Sequence, residues 1–391
     1  MQDFAQSLEE LETSGLLRRR RVVRGKQGAT LEVDGEPMLA FASNDYLGLA
    51  SDPRISRAVA EAIERCGVGG GASHLISGHH EEHERAEDAL ARFVGLPRAL
   101  LFSSGYMANS GIVPALAGRG DAVFSDALNH ACLIDGARLS RADVHVFPHG
   151  DMDALNERLA RSSARRRLIL SDAVFSMDGD IAPLARLVEL CERHDALLLL
   201  DDAHGFGVLG AEGRGTLAHC NVKSDRILYL GTLGKAAGVA GAFVAGASQL
   251  IEWLIQRART YIFTTAMPPM LAAGVRAAVD AIAADEWRRT RLRDHARRLR
   301  DGLRELPWPL LASDTAIQPL MVGDNRASLT LMERLWQAGV WVPAIRPPTV
   351  PDGTARLRIS LSAAHTPEHI DRLVEGLRAV AADMTGNRAA A

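Results

Sequence analysis

The chain has 391 residues, of which 47% are hydrophobic and 24% are charged, with 45 basic residues against 48 acidic ones. This composition predicts a globular protein of roughly two to three domains and excludes a disordered chain. The net charge of −3 gives no general electrostatic reason to expect nucleic-acid binding. The longest uncharged stretch near the middle, residues 236–250, is too short and too rich in glycine and alanine for a membrane span.

The N-terminus and the cysteines both indicate a cytoplasmic protein. The opening MQDFAQSLEELE is acidic and lacks the apolar segment of a secretory signal. The four cysteines show no CxxC spacing, which favours reduced thiols over disulfides or a structural zinc site. We therefore expect a cytoplasmic protein that binds neither nucleic acid nor membrane.

Residues 1–45 are predicted to form a helical arm followed by a hairpin. Leu8, Leu11 and residues 16–17 give an amphipathic pattern, with acidic residues early and the arginines 18–21 late, an order that suits a helix dipole. The run TLEVDGEPMLAF predicts two short strands joined by a turn at Asp34–Gly35. We therefore expect the helical pattern to extend into the arginine run.

Residues 46–275 alternate apolar strands with helices. The predicted buried strands are RALLFSSG, DAVFSD, DVHVFP, RLILSDAVFS, ALLLLDDAHG and RILYLGTLGK, each leading into a polar or glycine-rich loop. This alternation predicts an α/β domain with a mainly parallel sheet covered by helices on both faces. Ligands in such folds bind at the carboxyl ends of the strands, so these loops are where chemistry is expected.

Residues 276–391 are predicted to form a smaller C-terminal α+β domain. The runs AIQPLMVG, VWVPAIRPP and ARLRISLS indicate strands, whereas SLTLMERLWQAG and TPEHIDRLVEGLRAV indicate helices. The change of pattern follows MPPMLAAG and an arginine-rich helical stretch, which together mark the boundary.

The strongest chemical signal is the pair DDAHG (residues 201–205) and TLGK (residues 232–235), each directly after an apolar strand. Alone, Asp201 fits a strand-end turn, His204 a loop and Lys235 a solvated surface. Together, an acid, an imidazole and a lysine at one sheet edge suit pyridoxal 5′-phosphate (PLP). The lysine amine forms an imine with this cofactor, and a carboxylate keeps its pyridine nitrogen protonated. Lys235 is one of only three lysines in the chain.

Several motifs resemble the α-oxoamine synthase family of PLP enzymes over nearly the whole chain. They are SNDYLGLA, GVGGGASHLISG, SSGYMANSG, LNHACLIDGARLS, VFSMDGDIAPL, DDAHGFGVLGAEGRG, TLGKAAGVAGAFV and FTTAMPP, in the family's order. The resemblance implies a fold type I homodimer that condenses an amino acid with an acyl thioester and releases carbon dioxide. The runs AIQPLMVGDN and IRPPTVPDGTARLR further resemble the members that use L-alanine and a pimeloyl thioester in biotin biosynthesis.

The resemblance also implies which residues bind the cofactor. Lys235 matches the lysine that binds PLP, Asp201 the partner of its pyridine nitrogen, and His204 the partner of its phenolic oxygen. His130 matches the catalytic histidine that stacks on the cofactor ring, although alone it fits a helix N-terminus. The other residues assigned to the cofactor are Ser104, Gly105, Tyr106, Ser176 and Thr232, with Thr265 reaching the phosphate of the neighbouring subunit.

The substrate residues follow from the same resemblance. Arg358 matches the arginine that holds the amino-acid carboxylate, a task suited to a bidentate guanidinium, and Asn44 and His130 lie beside that substrate. Arg18 and Thr349 match substrate-binding positions, although an arginine run is ordinarily a solvated face. The run HLISGHH offers histidines without a third ligand at metal spacing, so no metal is expected.

Three alternatives stay open at this stage. A sibling enzyme using glycine, such as 5-aminolevulinate synthase or 2-amino-3-ketobutyrate ligase, would share every cofactor residue. A non-catalytic subunit with the same fold would have no chemical need of Lys235. A dinucleotide-binding oxidoreductase ranks lower, because no G-x-G-x-x-G opens a helix after a strand. The sequence also leaves open whether the acyl group arrives on coenzyme A or on a carrier protein.

Overall fold

The computed structural model describes residues 4–389, and the chain divides into two compact units. The central unit contains Leu49–Ser176 and Asp180–Arg289. The terminal unit contains the chain up to Gly48, the short segment Met177–Gly179 and the chain from Thr290 onward. The N-terminal segment thus shares a unit with the C-terminal region. The domain boundaries after residues 45 and 275 stay predictions.

The elements alternate along the chain much as the sequence indicates. The strands are β1 (Val23–Arg24), β2 (Thr30–Val33), β3 (Glu36–Ala40), β4 (Arg98–Phe102), β5 (Ala122–Asp126), β6 (Asp143–Phe147), β7 (Arg167–Asp172), β8 (Ala196–Asp201), β9 (Ile227–Thr232), β10 (Ala242–Gly246), β11 (Ile317–Gly323), β12 (Val340–Trp341), β13 (Ala344–Ile345) and β14 (Ala355–Ser360). The helices are α1 (Phe4–Thr13), α2 (Pro53–Cys66), α3 (Glu81–Val94), α4 (Gly105–Leu116), α5 (Ala131–Ser140), α6 (Met152–Arg161), α7 (Leu184–Arg193), α8 (Thr216–His219), α9 (Ser248–Arg257), α10 (Arg259–Ile262), α11 (Pro269–Ala284), α12 (Glu286–Gly302), α13 (Asn325–Gln337) and α14 (Pro367–Ala389). A π-helical turn spans His74–Gly78 and a 3₁₀ turn spans Ala211–Gly213.

The central unit is built on a sheet with the strand order β4-β10-β9-β8-β7-β5-β6. Strands β5 to β9 pair in parallel, whereas β10 is antiparallel to both β4 and β9. Every residue of β5, β9 and β10 is buried, as expected for a sheet covered on both faces. The predicted α/β fold with a mainly parallel sheet is confirmed.

Parallel pairing brings the polar ends of neighbouring strands to one edge of this sheet. Asp201 ends β8, and it lies directly opposite Asp172, the last residue of β7. Thr232 ends β9, the strand on the other side of β8. The loops that follow these strands carry the predicted chemical motifs, so the sheet register positions the candidate site.

The terminal unit contains the predicted hairpin of β2 and β3. Asp34 and Gly35 form its turn with positive φ angles of 52° and 92°, which this turn type requires. Strand β12 pairs in parallel with β3, and β14 lies antiparallel between β11 and β13.

The expectation that the first helix extends into the arginine run is wrong. Helix α1 ends at Thr13, and Gly15 follows with a φ of 68°. The Leu16 N–H then donates to the Leu11 carbonyl at 2.7 Å, which is the hydrogen bond of a glycine-terminated helix. Arginines 18–21 therefore lie outside the helix. No helix within residues 4–389 has both the length and the apolar character to cross a membrane.

Candidate active site

The loops after β8 and β9 bring the predicted lysine and histidine into contact. Lys235 follows the end of β9 by three residues, and its Nζ lies 2.9 Å from Nε2 of His204. His204 is buried in the loop that begins directly after Asp201. Both Asp201 and Lys235 act electrostatically on His130. The four residues predicted to be catalytic therefore form one cluster, which we call the Lys235 cluster.

Asp201 is held rigidly in this cluster. It is only 4% exposed, and its Oδ2 accepts a hydrogen bond from Asn109 Nδ2 at 2.5 Å, while its Oδ1 accepts one from the Ala203 N–H at 3.0 Å. Across the strand pair, burial and the negative charge of Asp201 raise the pKa of Asp172 well above its usual range.

His130 caps the N-terminus of α5 and is fixed from two sides. Its N–H donates to Oδ2 of Asp172 at 2.6 Å, and its Nδ1 lies 2.8 Å from the sulfur of Cys132. Burial raises the pKa of Cys132 to about 12, so the thiol keeps its proton and donates it to Nδ1. Desolvation lowers the pKa of His130. The ring is therefore neutral with its hydrogen on Nε2, and the residue as a whole is exposed.

A cradle for an anion lies at the start of α4. Ser104 is the N-cap of this helix, and its Oγ accepts a hydrogen bond from the Met107 N–H at 3.2 Å. A Cβ placed on Gly105 would meet Thr232 Oγ1 at 4.0 Å as its nearest neighbour. Two hydroxyls and the first amides of a helix thus border an open space, an arrangement that attracts phosphate.

The remaining predicted cofactor residues are less closely tied to this cluster. Tyr106 is half exposed and its hydroxyl donates to Asp135. Ser176 is half-buried in the turn that follows β7, and Thr265 is exposed in the segment between α10 and α11. The roles of these three residues stay predictions.

A second cluster, the Arg358 cluster, lies in the terminal unit. Arg358 is 5% exposed within β14, and its guanidinium donates to Asn44 Oδ1 at 3.2 Å, to the Tyr46 hydroxyl at 3.2 Å and to Ser360 Oγ at 2.8 Å. The acceptors of these three hydrogen bonds are uncharged oxygens that orient the guanidinium. Arg356, two residues earlier, forms an ion pair with Asp178.

Arg18 and Thr349 line one cavity of about 470 Å³ in the terminal unit. Arg346 lines it too, and both burial and the nearby charge of Arg18 lower the pKa of Arg346. The Nε of Arg346 is buried without a hydrogen-bond partner. The apolar part of the wall comes from Leu16, Leu17, Leu329, Met332, Trp341 and Ile345. Four arginines line this mainly apolar cavity, of which Arg19 and Arg21 form ion pairs with Glu12 and Asp34. The cavity therefore suits a ligand with an apolar chain and an anionic end.

Some contact residues were not assigned by sequence reasoning. Asn109 and Cys132 stand inside the motifs SSGYMANSG and LNHAC, yet their types alone do not show that they hold Asp201 and His130. Tyr46 and Arg346 likewise lie in quoted motifs, SNDYLGLA and IRPPTVPDGTARLR. Their positions in those motifs are the signal that could have found them.

The residues of the Lys235 cluster fit PLP. An amine beside a buried imidazole, a buried carboxylate, an exposed histidine and an anion cradle are the groups this cofactor requires. Residues 36–377 match the family described as aminotransferase class I and II. The chain belongs to this family of PLP-dependent enzymes, and the predicted fold type I is confirmed.

Named relatives indicate which members of this enzyme family the chain resembles most strongly in sequence. The 8-amino-7-oxononanoate synthase 1 of a Polaromonas species is 58% identical over 389 residues, which cover 97% of this chain and 96% of the relative. The 8-amino-7-oxononanoate synthase of Nitrosomonas europaea is 56% identical over 382 residues, with 97% and 99% covered. The predicted resemblance to the α-oxoamine synthases is confirmed, down to the members that bear this name.

Solved structures agree with the fold. The serine palmitoyltransferase of Sphingomonas wittichii superimposes with a TM-score of 0.92 at 31% identity, over 98% of this chain and 97% of that chain. The 8-amino-7-oxononanoate synthase of Francisella tularensis gives a TM-score of 0.76 at 29% identity, over 87% and 96%. A high-resolution structure of a serine palmitoyltransferase (SPT) with PLP gives a TM-score of 0.91 at 32% identity, over 96% of both chains.

Proposed function

We propose that this chain condenses L-alanine with a pimeloyl thioester, releasing the thiol and carbon dioxide and forming 8-amino-7-oxononanoate for biotin biosynthesis. The observation that carries the proposal is the contact of Lys235 with His204 beside Asp201 and His130, in a chain 58% identical to a relative of that name. The serine palmitoyltransferases of known structure are only 31–32% identical to this chain, compared with 58% for the 8-amino-7-oxononanoate synthase 1. The glycine-using siblings are the alternative that the assay below tests.

The Lys235 cluster supplies the proton transfers. PLP, when bound, supplies an electron sink for the carbanion formed at Cα of alanine. Lys235 would hold the cofactor, and its amine would take the Cα proton of alanine. His204 contacts the lysine amine at 2.9 Å and orients it. Asp201 would keep the pyridine nitrogen of the bound cofactor protonated, and His130 would stack on its ring and exclude water.

The Arg358 cluster orients the amino acid. A guanidinium held by Asn44, Tyr46 and Ser360 has a fixed plane, because three hydrogen bonds determine its orientation. Such a plane matches a carboxylate through two parallel hydrogen bonds. Arg358 therefore holds the carboxylate of alanine, with the Asn44 amide beside it.

The cavity that contains Arg18 and Thr349 accepts the acyl chain. A pimeloyl group ends in a carboxylate after a run of methylene groups, and the cavity has apolar walls with four arginines. Its volume of about 470 Å³ is in the range of small-molecule sites. Arg18 and Arg346 bind the terminal carboxylate, which offsets the repulsion between their own charges.

We also propose that the protein forms a homodimer. Ile76 and Phe263 are 80% and 69% exposed, and the backbone bond from the Ala266 N–H to the Ala72 carbonyl joins the segments that carry them. Exposed apolar side chains on adjoining segments mark an interaction surface. Thr265 lies on this surface, where it would reach the phosphate bound by the partner.

A cytoplasmic location is also proposed. The four cysteines all lie in the described part of the chain and are free thiols, of which Cys132 and Cys191 are buried. Free thiols persist in reducing compartments, which supports this location.

Thiol release by the purified, PLP-loaded protein tests the function. Alanine, glycine and serine are each combined with pimeloyl-CoA, succinyl-CoA, acetyl-CoA and a pimeloyl carrier protein, and products are identified by mass. We expect release with alanine and a pimeloyl donor, with the mass of the amino ketone. Release only with glycine and a shorter acyl group would reassign the protein to a sibling activity. No release from any pair would contradict an enzymatic role.

A further inference from the structure

Three histidines of the central unit pack against each other in a cluster that the proposed function does not use. His74 and His83 are buried, and His79 is half-buried. Each offers a ring nitrogen, and these nitrogens lie within 4.8 Å of one another. The ring centroids are separated by 5.0, 5.1 and 5.6 Å. The sequence predicts no metal because HLISGHH shows no third ligand, but folding adds His83 from the first turn of α3.

The hydrogen bonds around this triad resemble those around metal-bound histidines. His79 and His74 face each other through their Nδ1 atoms at 2.8 Å. On its far side, His79 contacts Glu84 Oε1 through Nε2 at 2.8 Å. His83 donates from Nε2 to the Met267 carbonyl at 2.7 Å. Carboxylates and backbone carbonyls on the outer nitrogens are the partners that orient histidine ligands toward a metal.

The protonation states also suit a cation. Burial lowers the pKa of His74 to about 3 and also lowers the pKa of His83. Burial therefore favours the neutral form of both rings, which is the form that binds metals. Two facing Nδ1 atoms can share only one hydrogen, which a cation would replace.

We propose that His74, His79 and His83 bind one late first-row divalent cation such as Zn²⁺, with a water molecule in the fourth position. Three imidazoles favour zinc, nickel or copper over magnesium or calcium. The cation would join the π-helical turn to the start of α3. The Nδ1 of His83 already accepts the His80 N–H at 2.9 Å. Binding through that nitrogen gives up this hydrogen bond, so we expect weaker affinity than at a structural zinc site.

Cobalt titration tests this site on the full chain. Co²⁺ gives visible absorption bands when bound by imidazoles, and ZnCl₂ added afterwards should displace it. We expect one saturable site per chain in the wild type and at least a hundredfold weaker binding in His79→Gln. Glu84→Gln should weaken binding about tenfold, because it removes the partner of His79. Glu81→Gln removes an exposed carboxylate from the same helix turn and should bind as the wild type does.

Two controls separate this site from the cofactor and from misfolding. The titration is run with and without PLP, and binding that needs PLP would place the cation on the cofactor and overturn the proposal. Circular dichroism checks that each variant is folded. Glu84 is exposed, so its variant keeps the test decisive if His79→Gln fails to fold. Unchanged affinity in Glu84→Gln, or no saturable binding in the wild type, overturns the proposal.

Discussion

The Lys235 cluster and the Arg358 cluster are assembled in different ways. In the Lys235 cluster, Asp201 ends a parallel strand, His204 follows three residues later, and Lys235 stands three residues beyond the end of the next strand. In the other cluster, Arg358 lies in the middle of β14, and its partners Asn44 and Tyr46 come from more than 300 residues earlier in the chain. The first cluster follows from the order of strands, whereas the second depends on long-range packing.

The two clusters also differ in chemistry. The Lys235 cluster combines an amine, an imidazole and carboxylates, groups that exchange protons. The Arg358 cluster holds a guanidinium that donates hydrogen bonds to Asn44, Tyr46 and Ser360, an arrangement suited to binding and not to proton exchange. We therefore expect damage to the first cluster to reduce kcat and damage to the second to raise KM for the amino acid.

The largest expected effect is that of Lys235→Ala. The variant loses both the amine that binds PLP and the base that removes the Cα proton, so turnover should fall by at least about 1000-fold. Product formation measured by mass spectrometry checks this, with the exposed Lys223→Ala as the matched control. Substantial turnover by the Lys235 variant would contradict the assigned role.

Much of the fold could be predicted because buried parallel strands are continuous apolar runs with polar ends. The strands that end at Asp201 and Thr232 appear where the sequence indicates them. Strand β10 has no such signal, since AFVAG lies inside a stretch of glycine and alanine without polar boundaries. Its antiparallel place between β4 and β9 is a long-range pairing, which local patterns do not encode.

The candidate site also contains some residues that the sequence could place and others that it could not. Residues directly after strands could be placed together from the sequence, because parallel strands end at one edge. Asn109 reaches Asp201 from the second turn of α4, and this contact depends on how that helix packs on the sheet. Likewise, His74 packs against His83 because a π-helical turn, His74–Gly78, folds the chain between them. The sequence motif does not reveal that turn.

Arg358→Lys should give the next largest effect. It tests whether damage to the Arg358 cluster raises KM and leaves kcat unchanged. A lysine keeps the charge but loses the bidentate geometry. Loss of one charge-assisted hydrogen bond corresponds to about a 10- to 100-fold rise in KM for L-alanine. Steady-state kinetics with alanine varied checks this, with the exposed Arg326→Lys as control. A fall in kcat at unchanged KM would place Arg358 in the chemical step instead.

A smaller effect is expected from Arg346→Leu, which tests whether the terminal unit also recognises the acyl end. Removing one of the two arginines proposed to bind the terminal carboxylate should raise KM for pimeloyl-CoA about tenfold. Heptanoyl-CoA has the same chain length without the terminal carboxylate, so its KM should stay nearly constant. Arg326→Leu serves as the control. Equal changes for the two thioesters would show that Arg346 acts through packing and not through its charge.

The smallest effect is expected at His149, a residue of the central unit that stabilises the fold and takes no part in the proposed chemistry. His149 bonds to both Asp126 and Asp180 at 3.0 Å, and these bonds raise its pKa to about 10. An unfolded histidine titrates near ~6.5. The stabilisation from this charged ring is therefore fully present below about pH 6.5 and is lost as the pH rises through about 10.

Urea unfolding of the wild type and of His149→Gln, measured from about pH 6 to about pH 10, checks this. The difference between their free energies of unfolding should be largest at the acidic end and should shrink toward the alkaline end. His219→Gln replaces an exposed histidine and serves as the control for losing an imidazole. A difference that stays constant with pH would mean that His149 stabilises the fold through its edge-on contact with Phe175, because ring packing does not depend on the proton.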